Sequence, residues 1–257
     1  MIHGLTPIRE AQAVLARLSA IEVNALLQLG IEILEKREDG LYLIKMGAHT
    51  LTSKSDEPLE PGRNYWAAMS QSKEGIVQLG RLLVKPSLLQ KPWPTASSTL
   101  FAEHLLHKLA TSDRPSHVVK EELLQHLANA TDRQSFQYYS QLLLSLHHGV
   151  LSLPLRYRGK KGLLQMRPQQ EEEDLNQKSV EFYAALNNIG PVEGVVRLVE
   201  EGKHLRLGLY YPKSVALLKK ESETLQGFDT IEILLKEEPI LPLWDEKSGT
   251  GLLDIKG

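Results

Sequence analysis

The sequence predicts an α+β protein in which an N-terminal helix leads into a small β-barrel-like module, followed by a helical middle and a C-terminal αβ domain. Three observations predict it. Short apolar runs broken by Gly, Pro and Asp fill residues 23–86, helical spacing takes over across residues 97–149, and two-residue alternation returns after Gly149 with one helical stretch after Pro212. The predicted boundaries are 1–21 for the helix, 22–90 for the β module, 97–149 for the helical segment and 150–257 for the last domain.

Thr6 followed by Pro7 opens a helix, because threonine caps free amides and proline suits the first helical position. Ile8, Ala11, Leu15 and Leu18 then recur at helical spacing, which predicts an amphipathic helix over 7–20. From Val23 the runs shorten to strand length. Asp39-Gly40 is the strongest hairpin signal, since glycine tolerates the positive φ of a tight turn. The following runs, LYLIKM, HTLTS, RNYWAAM and GIVQLGRLLV, complete a set of strands suited to a small OB-like barrel. Pro86, Pro92 and Pro94 cannot continue a ladder, so KPSLLQKPWPT reads as a linker.

Ser98 or Thr99 caps a helix carrying Leu100, Leu105, Leu106 and Leu109. Two further helices are expected over about 116–128 and 132–147, with breaks at Arg114-Pro115 and at 129–131. The stretch VLSLPLRYRGKKGLLQMRP is a strand pair around Gly159 to Gly162, and the acidic run Glu171–Asp174 is a solvated loop. Val180, Phe182, Ala184 and Leu186 alternate with their neighbours, as do Leu205, Leu207, Leu209 and Tyr211, so each set marks a half-buried strand. Pro212 opens a helix with Val215, Leu218 and Leu225 on one face, closed by Gly227. TIEILLKEE supplies a last strand, in a mixed or antiparallel sheet carrying one main helix. The tail LWDEKSGTGLLDIKG predicts no element.

Composition excludes several chemistries. With 30 basic and 32 acidic residues among 257, the net charge of -2 provides no global attraction for nucleic acid or an anionic membrane. No cysteine is present, which removes thiol nucleophiles, disulfides and thiolate metal sites and suits a reducing cytoplasm. The start MIHGLTPIREAQ lacks a secretory pattern, and no run approaches the roughly 18 apolar residues of a membrane span. A cytoplasmic protein is expected, with export by a signal-less route left open. His104 and His107 share a helix face, and His147 adjoins His148, but neither pair has a third ligand beside it, so no metal is expected. Ser70-Gln-Ser-Lys73 matches a serine-x-x-lysine pattern without its companion motifs. No phosphate-binding loop or dinucleotide fingerprint occurs. Neither a catalytic residue nor a cofactor is expected.

Arg156, Arg158, Lys160 and Lys161 gather at the predicted hairpin tip around Tyr157, where they suit contact with phosphate or an acidic protein patch. Trp93 between Pro92 and Pro94 suits packing between modules.

The stretch VEFYAALNNIGPVEGVVRLVEEGKHLRLGLYYPKSVALLKKESETLQ resembles the C-terminal core domain of flagellar hook-length control proteins, where a Leu-Gly dipeptide precedes two alternating strands and a helix. YYSQLLLSLHHGVLSLPLRYRGKKGLLQMR is similar to the lead-in of that domain, and DGLYLIKMGAHTLTSKSDEPLEPGRNYWAAM resembles the small β module upstream of it in longer members. The resemblance implies a non-enzymatic regulator that binds the cytoplasmic domain of the flagellar type III export gate and controls hook length or substrate-specificity switching. Hook or hook-cap proteins are further partners it implies, and membrane insertion is not among its roles. It points to Ile189, Gly190, Val192, Val196 and Leu198 as the interaction region. The long low-complexity ruler half of the family is absent, because residues 1–90 read as folded. A nucleic-acid-binding protein built on the OB-like module is the alternative, although the chain offers little of the basic, aromatic-studded face such modules use.

Overall fold

The computed structural model describes residues 30–71, 76–91, 93–94, 115–157, 160–169, 178–200, 202–225 and 227–246. The expected helices over 7–20 and after Ser98, the acidic run 171–174, and His104 with His107 lie outside the described residues.

Five strands close a barrel: β1 (Gly30–Lys36), β2 (Tyr42–Met46), β3 (His49–Ser55), β4 (Asn64–Gln71) and β5 (Val77–Val84). The order is β1-β2-β3-β5-β4, with β1 closing on β4 and β3 running parallel to β5. The β1–β2 turn falls at Asp39-Gly40 as expected. Gly40 has φ 79°, and the Asp39 carboxylate accepts the Leu41 amide at 3.0 Å. Alternation sends Ile31, Ile33, Tyr42, Ile44, Tyr65 and Leu79 inward to form a core of their own. Leu59, from the loop before β4, joins that core, and the Tyr42 hydroxyl accepts its amide at 3.3 Å.

The proline-rich segment after the barrel is packed, which corrects the linker reading. α1 (Ser87–Gln90) forms one short turn, with Leu88 and Leu89 buried in the larger core. Proline forbids a ladder, but the sequence between Pro86 and Pro92 can still turn helically and bury two leucines.

α2 (Pro115–Ala128) begins on its proline, and α3 (Arg133–His147) is capped by Asp132, whose carboxylate accepts the Ser135 amide at 2.7 Å. The second sheet has six strands: β6 (Leu151–Tyr157), β7 (Lys160–Gln169), β8 (Lys178–Leu186), β9 (Gly190–Val199), β10 (Gly202–Leu209) and β11 (Thr230–Leu235). Their spatial order is sequential. Every pairing is antiparallel except β10 with β11, which are parallel because α4 (Pro212–Lys220) carries the chain between them. The sheet is therefore mixed. α4 ends at Lys220, earlier than Gly227, and a 3-10 turn at Ser222–Thr224 precedes the buried Leu225.

Register divides the sheet into two faces. Leu151, Met166, Phe182, Gly194, Leu207 and Ile233 lie in one cross-strand row, apolar from edge to edge. The next row, Ser152, Gln165, Tyr183, Glu193, Gly208 and Leu234, is buried over β6 to β8 and reaches solvent at Glu193. The sheet thus passes from covered on both faces to covered on one. Residues 240–246, for which no element was expected, cross the second face. Ile240 and Trp244 are buried, and the Gln165 amide holds the Trp244 backbone at both its carbonyl (2.6 Å) and its N–H (3.2 Å).

Candidate functional site

The hairpin between β8 and β9 is the end of the sheet on which the sequence places the interaction region. Leu186 pairs with Gly190, leaving three residues in the turn, and Gly190 enters β9 at φ 88°, a conformation that favours glycine. Ile189, Gly190, Val192 and Val196 are buried, and Leu198 is half-buried. Their side chains hold the core, because the same alternation that marks β9 as a strand turns one of its faces inward. Glu193, Val195 and Arg197 carry the opposite face, and Arg197 is exposed. The Ile189 carbonyl accepts the buried Ser214 hydroxyl at 2.7 Å, which ties the hairpin to the first turn of α4.

The barrel meets this end of the sheet through β5. Arg81 donates to the Tyr210 carbonyl at 2.6 Å, and its guanidinium stands over the Tyr210 ring at 5.1 Å. The Tyr211 hydroxyl donates back to the Arg81 carbonyl at 2.9 Å. Arg81 occupies a bulge in which two residues of β5 oppose one of β4, and its φ is 49°, the one positive value outside glycine among the described residues. Four residues on, the Lys85 ammonium donates to the Asn187 side chain at 3.1 Å and lies 5.6 Å from the Trp66 ring. Burial lowers the Lys85 amine to about 8. Burial likewise raises the hydroxyls of Tyr183 and Tyr211, which stay neutral. Sequence reasoning missed this joint. Gly80 interrupting the apolar alternation of β5 was the available signal, since glycine inside a strand often accompanies a bulge.

No family model matches the chain, and no curated protein does.

The basic residues of the β6–β7 hairpin stay side by side. Arg156 pairs with Lys161, and Tyr157 with Lys160, across the β6–β7 ladder, while Arg158 lies outside the described residues. The Lys161 ammonium stands 5.1 Å from the Trp93 ring. Trp93 donates to the Leu88 carbonyl at 3.0 Å and packs against Tyr138, so it does join separate elements. His147 and His148 adjoin one another at the end of α3. Among the described residues, no group of three potential ligands comes together that could hold a metal ion. Ser70 lies in β4, not on a helix, and Lys73 is outside the described residues.

A cavity of about 260 Å³ opens between the crossing tail and the second face of the sheet, lined by Tyr183, Glu193, Arg206, Leu234, Lys236 and Leu241 among others. Its charges are paired, Lys236 with Glu193 at 2.8 Å and Arg206 with Glu232 at 3.1 Å. No nucleophile with a general base beside it is found among these residues. No described helix is long and apolar enough to cross a membrane.

Proposed function

We propose that this chain is a non-enzymatic protein-binding regulator of flagellar assembly, which binds the cytoplasmic domain of the flagellar type III export gate to control hook length or the switch of substrate specificity. The observation that supports this reading is the order of elements over residues 178–220. A strand, the Ile189-Gly190 turn, two alternating strands and a helix opened by Pro212 follow one another as the resemblance to hook-length control proteins implies. Such a role needs a surface that favours one gate conformation over another and no covalent chemistry. The outward side of β9, with Glu193, Val195 and Arg197, and the hairpin end of the sheet are the contact surface in this reading. The protein works in the cytoplasm, and hook or hook-cap proteins are secondary partners. Deleting the gene and measuring hook length tests it, together with capture of the purified chain by the gate's cytoplasmic domain. Normal hooks and filaments in the deletion strain would sink it.

The strand order of the barrel, with parallel β3 and β5, favours an OB-like module and so keeps a second reading in view, binding of single-stranded nucleic acid. The aromatic residues argue against it. Stacking needs exposed rings, and Tyr42, Tyr65 and Trp66 are all buried. Salt-sensitive binding of a single-stranded oligonucleotide would reverse that judgement.

A further inference from the structure

The joint between barrel and sheet is built unlike either body it joins. The barrel keeps a separate core, and of its strand residues only Trp66 and Leu83 are buried in the larger one. No barrel strand packs extensively along a strand of the sheet, so side chains carry the joint.

Two features oppose its closure, and a strained residue sits beside them. Arg81 adopts a left-handed φ that a side chain disfavours, and such strain persists only where the surroundings over-determine it. The Lys85 ammonium is drawn out of water with an amide oxygen and an indole ring as its partners, and no carboxylate reaches it among the described residues. The Trp66 indole N–H is buried with no acceptor among the described residues. The two desolvation costs belong to the closed state and would be shed on opening.

The surface beneath is suited to a partner. Opening uncovers Tyr210 and Tyr211 on the sheet side, and tyrosine is enriched among binding hot spots. It also frees two acceptors, the Tyr210 carbonyl and the Asn187 side-chain oxygen, which the barrel satisfies with an arginine and a lysine.

We propose that the barrel is a displaceable cap on the hairpin end of the C-terminal sheet, and that Arg81 and Lys85 occupy positions which a partner's own basic side chains, set beside an apolar patch, take over when it binds. That the partner is the export gate rests on the function proposed above, whereas displacement of the barrel does not.

Because the chain has no cysteine, single cysteines can report on opening in the full-length protein. Leu83→Cys lies in the joint, Leu79→Cys in the barrel core and Leu164→Cys in the sheet core. If the cap moves as a body, a thiol reagent labels position 83 at least about tenfold faster than positions 79 and 164. Arg81→Ala, which removes the clamp, speeds labelling at 83 alone. Lys85→Met, which keeps the stem over Trp66 and discards the charge, slows it, and decides the matter should the arginine variant not fold. One common labelling rate at all three positions, unmoved by either substitution, overturns the cap. Binding by the gate domain should follow the same order, tighter for Arg81→Ala and weaker for Lys85→Met. A gate domain that binds none of these proteins while the labelling pattern holds would reject the gate as partner and leave the cap supported.

Discussion

Phe182 fills the space that a side chain at Gly194 would need: a Cβ added there would come within 2.2 Å of the Phe182 ring. The two residues face each other across β8 and β9, and Phe182 is buried. Gly194→Ala is therefore an overpacking substitution and should destabilise the protein by about 1–3 kcal/mol. Urea unfolding measures it. In a Phe182→Leu background the same alanine should cost far less, and equal costs in both backgrounds would show that the ring is not the reason for the glycine.

Gln165 is fully buried and satisfies both the N–H and the carbonyl of Trp244, while also reaching the Ser152 hydroxyl at 3.1 Å. Gln165→Leu keeps the approximate volume and strands two buried backbone groups. The expected loss is about 2–6 kcal/mol, since each orphaned group costs on the order of 1–3 kcal/mol. Limited proteolysis should then cut the tail after Ile240 sooner than in the parent chain. Unchanged stability and cleavage would mean that the crossing tail is held by other contacts.

What could be read in advance was what short-range chemistry decides. Asp39-Gly40 announces its turn, the breaks at Arg114-Pro115 and 129–131 delimit two helices, and the alternation from Val180 to Leu186 announces a strand, because each signal acts within a few residues. The short helix at Ser87, the burial of Trp244 and the bulge at Arg81 depend on partners far along the chain. Trp244 meets Gln165 and Arg81 meets Tyr210, contacts that no local pattern encodes. The interaction region illustrates the same division. The resemblance pointed to the residues of β9, yet two of the apolar ones it named, Val192 and Val196, are turned inward by the fold.

Lys85 should make stability depend on pH in the alkaline range. Its amine titrates near 8 in the folded chain and near 10.5 when unfolded, so between those values the unfolded chain holds the extra proton. Stability therefore rises with pH across that window, and is lowest from this group below pH 8, where its charge must be buried. The full gain approaches about 3 kcal/mol. Tyr183 and Tyr211 act oppositely above pH 10, because burial raises their folded values, so the comparison belongs between pH 8 and 10. Denaturant melts of the parent chain and Lys85→Met should converge as pH rises through that interval. Parallel curves would place the ammonium in contact with water.

Arg197 tests the proposed contact surface without disturbing the core. It is exposed on the outward face of β9, in the row that also carries His204 and lies beside Glu193 and Val195. Charge pairs on an exposed face contribute only about 0–1 kcal/mol, so Arg197→Glu should shift the unfolding midpoint little. Reversing a charge at the rim of an interface acts mainly on the association rate and on its salt dependence. If the gate's cytoplasmic domain docks against β9, Arg197→Glu should slow association several-fold at low salt and much less at high salt, measured by surface binding kinetics. Identical kinetics for the two proteins at every salt concentration would move the contact away from this strand and toward the hairpin end that the barrel covers.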